Sequence, residues 1–440
     1  MRIKREWIGL AVLVVLAAPD ASAADFHGYF RAGIGGNSKG GSQACFADPG
    51  ADYKFRLGNE CENYAEWEFS QSLYKNKSGV EFVYDGMLAY VTPNASSDFY
   101  SIAVPNGQIA LRQNWIGAKG LPFSAGGMYW IGKRYYHRND VHQIDFFYWD
   151  VSGYGGGLDE IPIGPAKVDI AVMQSSPSDD GSNADGTKRR TVWRPDLRVT
   201  GIPFFLPGST LEAGLSLHID SSNANVAQSA NKQGVSPWFT VQWALTDFLG
   251  GFNKLAYQWA QGSASSMGGG NAPVVDADSG SKQWRVVEHM VYQPTDAISG
   301  ALVFMYQDKT NVGGQNLKSW GAGIRPAIQL NDYFKVEADL GYNNVTPKTG
   351  VNQDSRGLFK FTLAPTITAM PGPGGTYFTR PVLRAFLTYA TWNDAAKSAG
   401  IAGQPSTAAC VAGSAPGNST SPFNCDTNGL TFGAQVEAWY

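Results

Sequence analysis

The feature that most constrains this chain is a period of two that returns in segment after segment. In DFHGYFRAGIG (25–35), Phe26, Phe30 and Ile34 share one side, and His27, Tyr29 and Arg31 share the other. In NYAEWEFSQSLY (63–74), Ala65, Trp67, Phe69 and Leu73 oppose Tyr64, Glu66, Glu68 and Ser70. In LTFGAQVEAWY (430–440), Leu430, Phe432, Ala434, Val436, Ala438 and Tyr440 oppose Thr431, Gln435, Glu437 and Trp439. Successive side chains take opposite faces only in extended chain, so the pattern predicts strands with one apolar and one polar face. About eighteen such segments begin near residues 26, 62, 80, 108, 126, 144, 167, 191, 209, 237, 253, 284, 298, 319, 333, 358, 380 and 430.

The connections alternate in length. Short ones contain LPG (206–208), LTD (245–247), QPTD (293–296), LND (330–332) and PGPGG (371–375). Long ones, rich in Gly, Ser, Asn and Asp, cover about 36–60, 91–107, 134–143, 176–190, 221–236, 261–283, 345–357 and 392–428. A soluble sandwich has no reason to alternate this way. An outer-membrane barrel does, with short turns on the periplasmic side and long loops outside. Lipid offers backbone groups no hydrogen bonds, so a strand-built span must close on itself, with an even strand number and no free edge. The expected fold is therefore all-β: an 18-stranded antiparallel transmembrane β-barrel. Tyr440 on the apolar face suits the lipid interface.

Composition agrees. Charged residues make up 16% of the 440, against roughly 25% in soluble domains. Aromatics reach 13%, which argues against disorder. A net charge of −3 gives no reason to expect nucleic acid. The longest apolar run, Trp7 to Ala18, has 12 residues, while a spanning helix needs about 20. That run follows Arg2-Ile3-Lys4-Arg5 and precedes Ala21-Ser22-Ala23, so residues 1–23 read as a cleaved secretory signal peptide and 24–440 as one barrel domain. Export to an oxidising compartment makes two loop-stapling disulfides from the four cysteines, Cys45 with Cys61 and Cys410 with Cys425. Each would close a short loop, worth about 3 kcal/mol in the chain-entropy account.

The densest cluster of functional groups is KRYYHRNDVHQIDFFYWD (133–150), where Arg134, Arg138, Asp140, His142, Asp145 and Asp150 interleave with aromatics. Folded into a lumen, it would line a constriction with donors and acceptors that match vicinal sugar hydroxyls. On the surface it would be a salt-bridged loop. His137 and His142 lack the spacing of a zinc motif, and no cysteine is near. Paired carboxylates (Asp140 with Asp145, Glu66 with Glu68) would serve an enzyme, but polar lumens are full of carboxylates. No G-x-S-x-G is present. Five aromatics sit at polar-face parity: Tyr29, Tyr64, Phe252, Phe378 and Trp439. A row of π-faces would carry sugar rings by their C–H faces, and local lumen packing is the plainer alternative.

DFHGYFRAG, FRLGNECENYAE (55–66), GKRYYHRNDVHQIDFFYWD (132–150), GFNK (251–254) and TFGAQVEAWY together resemble the maltoporins, the LamB-type sugar-specific porins. The resemblance runs from residue 25 to 440. It implies an 18-stranded barrel with a loop folded into the lumen as constriction, a homotrimer, and facilitated diffusion of maltose and maltodextrins across the outer membrane. No cofactor and no catalysis are implied. A periplasmic sugar-binding protein is an expected partner. By resemblance, Tyr29, Tyr64, Phe252, Phe378 and Trp439 form the aromatic slide, with Phe378 where the family usually carries Trp. The polar tracks match Arg31, Arg56, Glu66, Arg112, Arg138, Asp140, His142 and Asp145. The constriction Tyr of the family is Phe147 here, which keeps the ring and loses the hydroxyl. The slide's first ring comes from a neighbouring subunit's second loop, and Phe99 or Tyr100 would supply it. The Cys45–Cys61 spacing fits the family's first-loop disulfide. Sucrose-type relatives lose the Arg matching Arg138, and this chain keeps it. A porin for sucrose or another oligosaccharide, and a general diffusion porin, stand as alternatives.

Overall fold

The computed structural model of the protein describes residues 24–94, 108–175, 190–222, 234–267, 280–350, 353–368, 377–401, 422–423 and 426–440. The expected signal peptide (1–23), Phe99, Tyr100, Cys410 and Cys425 lie outside them.

The strands follow one another in an almost unbroken run: β1 (Asp25–Asn37), β2 (Glu62–Lys75), β3 (Glu81–Pro93), β4 (Gln108–Lys119), β5 (Met128–Arg134), the short β6 (Asn139–Val141) and β7 (Phe146–Tyr148), then β8 (Gly153–Ile163), β9 (Ala166–Ser175) and β10 (Arg190–Pro203). Next come β11 (Ser209–Ser222), β12 (Val235–Phe248), β13 (Gly251–Gln261), β14 (Lys282–Thr295) and β15 (Ile298–Val312). The last are β16 (Gln315–Gln329), β17 (Phe334–Pro347), β18 (Arg356–Thr368), β19 (Val382–Trp392) and β20 (Asn428–Trp439). Each pairs antiparallel with its chain neighbour, except that β5 pairs with β8 across the small β6–β7 hairpin. The first and last strands pair as well, with Tyr29 opposite Trp439, so 18 strands close into a ring. Backbone bonds from Gly28 N to Tyr440 O (3.0 Å) and from Tyr440 N to Gly28 O (3.2 Å) finish the seam. Closure removes the sheet edges that lipid would leave without partners.

The two faces divide as the alternation predicts. On β18, Phe359, Phe361, Leu363 and Ile367 are exposed, while Lys360, Thr362, Ala364 and Thr366 are buried. Exposed aromatics gather near the ends of the wall: Phe204, Phe205 and Phe248 at the short-turn end, Trp193, Trp284 and Trp320 toward the long-loop end. That is the distribution of interfacial girdles. No helix among the described residues is long and apolar enough to cross a membrane.

Seventeen of the eighteen sequence-predicted segments fall on wall strands, and the segment near 144 does not. There the apolar residues belong to β6, a 3₁₀ turn (His142–Ile144) and β7, and the wall strand is β8, whose GYGGGLDEIPI carries little alternation to read. The strand expected from 380 begins at Val382, because Pro381 has no N–H to enter the ladder.

Two loops pack against the inward side. The loop 38–61 is joined to itself by the disulfide Cys45–Cys61, as expected. It lays Phe55 against Gly323 and Gly341, which face each other across β16 and β17. A Cβ at either glycine would come within 2.2 Å of the Phe55 ring, so only glycine leaves this seat open. The segment 135–152 uses the same device: Trp149 rests on Gly214 of β11, where a Cβ would meet the indole at 2.5 Å. That segment touches two separate arcs of the ring. Tyr148 Oη donates to Gln242 of β12 (2.6 Å), and Arg198 of β10 donates to the carbonyls of His137 (2.9 Å) and Trp149 (3.0 Å). On the other arc, Gln143 donates to Asp339 of β17 (3.1 Å), and Arg325 of β16 donates to the Gln143 carbonyl (3.0 Å). The two loops also bond to each other, from Lys54 N to Ile144 O and from Arg56 N to Gln143 O, both 3.1 Å.

Candidate functional site

Strand pairing at the seam brings Tyr64, Tyr29 and Trp439 into one line, and a turn adds Phe378, so four of the five sequence-predicted aromatics meet there. Tyr64 and Tyr29 have ring centroids 6.1 Å apart, Tyr29 stacks on Trp439 at 6.4 Å, and Trp439 meets Phe378 at 6.4 Å. Phe252 joins from β13, packing with Phe378 on the apolar cluster of Val291, Ala301 and Tyr377. Phe378 itself precedes β19, so it reaches the line from a turn and not through strand parity.

Beside this line lies a charged cluster built mainly from loop 38–61, segment 135–152 and β20. Arg56 is its centre. Its Nε donates to Glu60 (2.7 Å), its Nη2 to Tyr29 Oη (2.6 Å), and its Nη1 to His142 Nδ1 (2.9 Å). Asp145 stands 3.9 Å from Arg56 and 4.0 Å from Lys54. Arg31 pairs with Glu60 (3.1 Å) and Glu62, and its guanidinium lies 5.3 Å over the Tyr64 ring. Burial opposes the charge on Glu60, yet Arg56, Lys54 and Arg31 outweigh it and hold the carboxyl down at about 2. Glu60 therefore stays ionised, which keeps both arginines anchored.

Because Arg56 has only donors, His142 Nδ1 must accept. The proton is then on Nε2, which donates to Glu437 Oε1 at 3.2 Å. The imidazole edge meets Trp439 at 5.5 Å. Asp140 sits 3.8 Å from the same ring and is half exposed.

The other predicted polar residues lie a short way along. Glu66 accepts from Tyr64 Oη (2.6 Å) and Tyr135 Oη (3.2 Å). Arg138 is sandwiched, with its guanidinium 3.6 Å from the Tyr135 ring centre and 4.3 Å from that of Phe147. The Phe147 ring thus fixes the arginine plane without a hydroxyl. Arg112 on β4 is half-buried, and its Nε finds no protein partner among the described residues.

Sequence reasoning left out Glu60, Tyr135, Arg380, Arg384 and Glu437, all drawn into the same cluster. Glu437 shares the polar parity of Trp439 on β20, so an acid beside that aromatic was a usable signal. Glu60 lies one helical-type step from Arg56, but in a loop whose path only the fold reveals.

Among the described residues, one group has metal-ligand chemistry: His137, Asp159 and Asp169 offer ligand atoms all within 4.8 Å of one another. Asp159 already accepts from Trp130 Nε1 (2.9 Å) and Arg134, and Asp169 accepts from the Glu160 N–H (2.6 Å). Burial, with Arg198 and Arg134 nearby, pushes His137 down to about 3, so its imidazole is neutral beside Asp169. These partners satisfy the carboxylates and tie the base of segment 135–152 to the wall.

A family model described as LamB porin matches residues 24–440. Among solved structures, OccAB4 of Acinetobacter baumannii is 8% identical, with 96% of this chain and 100% of that chain covered and a TM-score of 0.46. A loop-deletion mutant of OmpT, an outer membrane protein of Vibrio cholerae, is 11% identical, with 95% and 100% covered and a TM-score of 0.40.

Proposed function

The chain belongs to the LamB porin family and is an outer-membrane β-barrel porin; from that premise we propose that it is a sugar-specific channel for maltose and maltodextrins. The observation that carries this reading is the continuous aromatic line Tyr64–Tyr29–Trp439–Phe378 running beside ionised, hydrogen-bonding side chains. A glucan offers the matching surface: apolar C–H faces along one side of its rings and hydroxyl pairs along its edges.

Segment 135–152 is the constriction in this reading, held across the lumen by its bonds to both arcs of the wall. The rings of Tyr29, Tyr64, Trp439, Phe378 and Phe252 guide the sugar. Arg31, Arg56, Glu66, Arg112, Arg138, Asp140, His142 and Asp145 exchange hydroxyl hydrogen bonds as it advances, with Phe147 shaping the gap. Each site binds weakly enough to release, the general condition for conduction. Flow follows the gradient, small ions pass, and a bound sugar blocks them. Residues 1–23 serve as signal peptide. Three copies assemble, each receiving Phe99 or Tyr100 from its neighbour, and a periplasmic binding protein takes up the released sugar.

The test is ion conductance of the purified protein in planar bilayers, titrated with maltotriose and then with sucrose. Maltotriose is expected to close the current in a saturable way, more strongly than sucrose. No block by any sugar would leave a general diffusion porin, and stronger block by sucrose would reassign the substrate. Tyr64→Ala and Trp439→Ala are expected to weaken the block about tenfold each, equivalent to about 1.4 kcal/mol, with open conductance little changed.

A further inference from the structure

One buried carboxylate lies at the meeting point of four separate parts of the chain. Glu437 on β20 is 3% exposed. Its Oε1 accepts from Tyr29 Oη (2.9 Å), Arg56 Nη2 (3.4 Å) and His142 Nε2 (3.2 Å). Its Oε2 accepts from Arg380 (3.0 Å from Nε, 2.9 Å from Nη2) and from Arg384 Nη2 (2.9 Å). Five side chains thus converge on two oxygens. They come from β1, from loop 38–61, from segment 135–152, and from β19 with the turn before it (Arg384 and Arg380).

The partners of Glu437 are themselves the supports of the aromatic line. Arg380 holds its guanidinium 4.2 Å over the Trp439 ring. His142 abuts the same ring, and Tyr29 stacks on it. Arg380 also keeps its turn in place by donating to the Tyr377 and Thr379 carbonyls (both 3.1 Å), which positions Phe378. Glu437 is itself almost inaccessible, so its influence is exerted through the rings and donors it holds.

We propose that Glu437 is the positioning residue of the channel: its two oxygens set the alignment of Tyr29, Trp439 and Phe378 and neutralise the arginines behind them. Two jobs are separable. The charge offsets Arg56, Arg380 and Arg384, which holds down the attraction for anions. The reach of the side chain, one methylene longer than aspartate, lets both oxygens meet all five donors at once. The sugar arm rests on the maltodextrin reading above, whereas the charge arm requires only a channel.

The experiment compares wild type, Glu437→Gln and Glu437→Asp in planar bilayers. It reads maltotriose block and the reversal potential in a potassium chloride gradient. Heat-modifiable gel mobility and open conductance serve as checks on folding. Glu437→Gln is expected to weaken the block at least tenfold and to move the reversal potential toward chloride, with conductance near wild type. Glu437→Asp is expected to restore the reversal potential while the block stays weak. Glu437→Gln that folds and blocks within twofold of wild type overturns the proposal, and so does full recovery of block by Glu437→Asp, which would leave charge alone. If wild type shows no sugar block, the maltodextrin reading falls. In that case Glu437 is judged by the reversal potential: a shift in Glu437→Gln supports its charge role, and no shift overturns it.

Discussion

At the scale of single residues, burial decides which side chains hold a fixed charge. Asp48, in loop 38–61, is 1% exposed, and neither carboxylate oxygen has a hydrogen-bond partner among the described residues. Burial pushes its carboxyl up to about 7, with Arg356 pulling the other way. A free aspartate titrates near 4. The folded loop therefore binds this proton more tightly than the unfolded chain does. Its stabilising effect is complete below about 4 and is lost as pH rises through about 7. Hydrogen exchange of residues 38–61, corrected for intrinsic rates, should be several-fold faster at pH 8 than at pH 5. Asp48→Asn should remove that difference, and an unchanged pH dependence in the variant would place the titrating group elsewhere. The residue scale also marks where sequence reading stops. Tyr29, Tyr64 and Trp439 were legible because strand parity sets an aromatic against its polar neighbours. For Glu437 the sequence shows only polar parity beside Trp439, and that donors from residues 29 to 384 converge on it depends on the fold.

At the scale of elements, the wall is shaped to receive its loops. Phe55 fits only because Gly323 and Gly341 carry no side chain, and Trp149 fits only over Gly214. Gly341→Val should displace the Phe55 ring and cost about 1–3 kcal/mol, the usual range for an overpacked site. Phe55→Ala should cost about 3 kcal/mol or more for the lost ring. The double variant should be less destabilised than the sum of the two, because the new methyls occupy the vacated seat. Urea or thermal denaturation of the three variants gives the coupling, and strict additivity would mean that ring and glycines do not share a site. Gly214→Val is expected to dislodge segment 135–152 and so to raise open conductance and current noise in bilayers. The elements explain the one misread segment as well. Residues 139–148 hold the apolar residues that read as a wall strand, but they form two three-residue strands, β6 and β7, that pair with each other around a 3₁₀ turn. The true wall strand, β8, carries glycines at the inward positions 155 and 157, where buried Met173 and Ala171 press close, so its alternation is weak. The loop anchors were equally hidden: a glycine on a strand reads as a flaw until the ring that fills its place is known.

At the scale of the whole molecule, the period of two and the alternating loop lengths carried the architecture, because closure in lipid leaves few other solutions. What they could not give was the circumferential position of the loops, which depends on contacts between arcs far apart in sequence. Closure itself makes a prediction. Gly28 sits at the seam, and a Cβ there would lie 2.6 Å from both the Glu66 carbonyl and the Tyr440 hydroxyl. Gly28→Val should prevent the final pairing and leave a species that runs as unfolded without boiling. Gly28→Ala should show a milder defect, with a lowered temperature for the mobility shift. Wild-type mobility for Gly28→Val would mean that the seam tolerates a gap.

The seam pairs Tyr29 with Trp439, so one ring of the aromatic line comes from the start of the barrel and its neighbour from the end. The ribosome therefore makes these two halves of one contact more than four hundred codons apart. Every intermediate lacking the last strand lacks that contact as well as its final hydrogen-bonded ladder. In the proposed reading, sugar binding is then a read-out of completed assembly, since a truncated or stalled chain lacks the closed aromatic line. A fusion appended directly after Tyr440 would burden that same junction, whereas a tag in an outer loop would leave it alone.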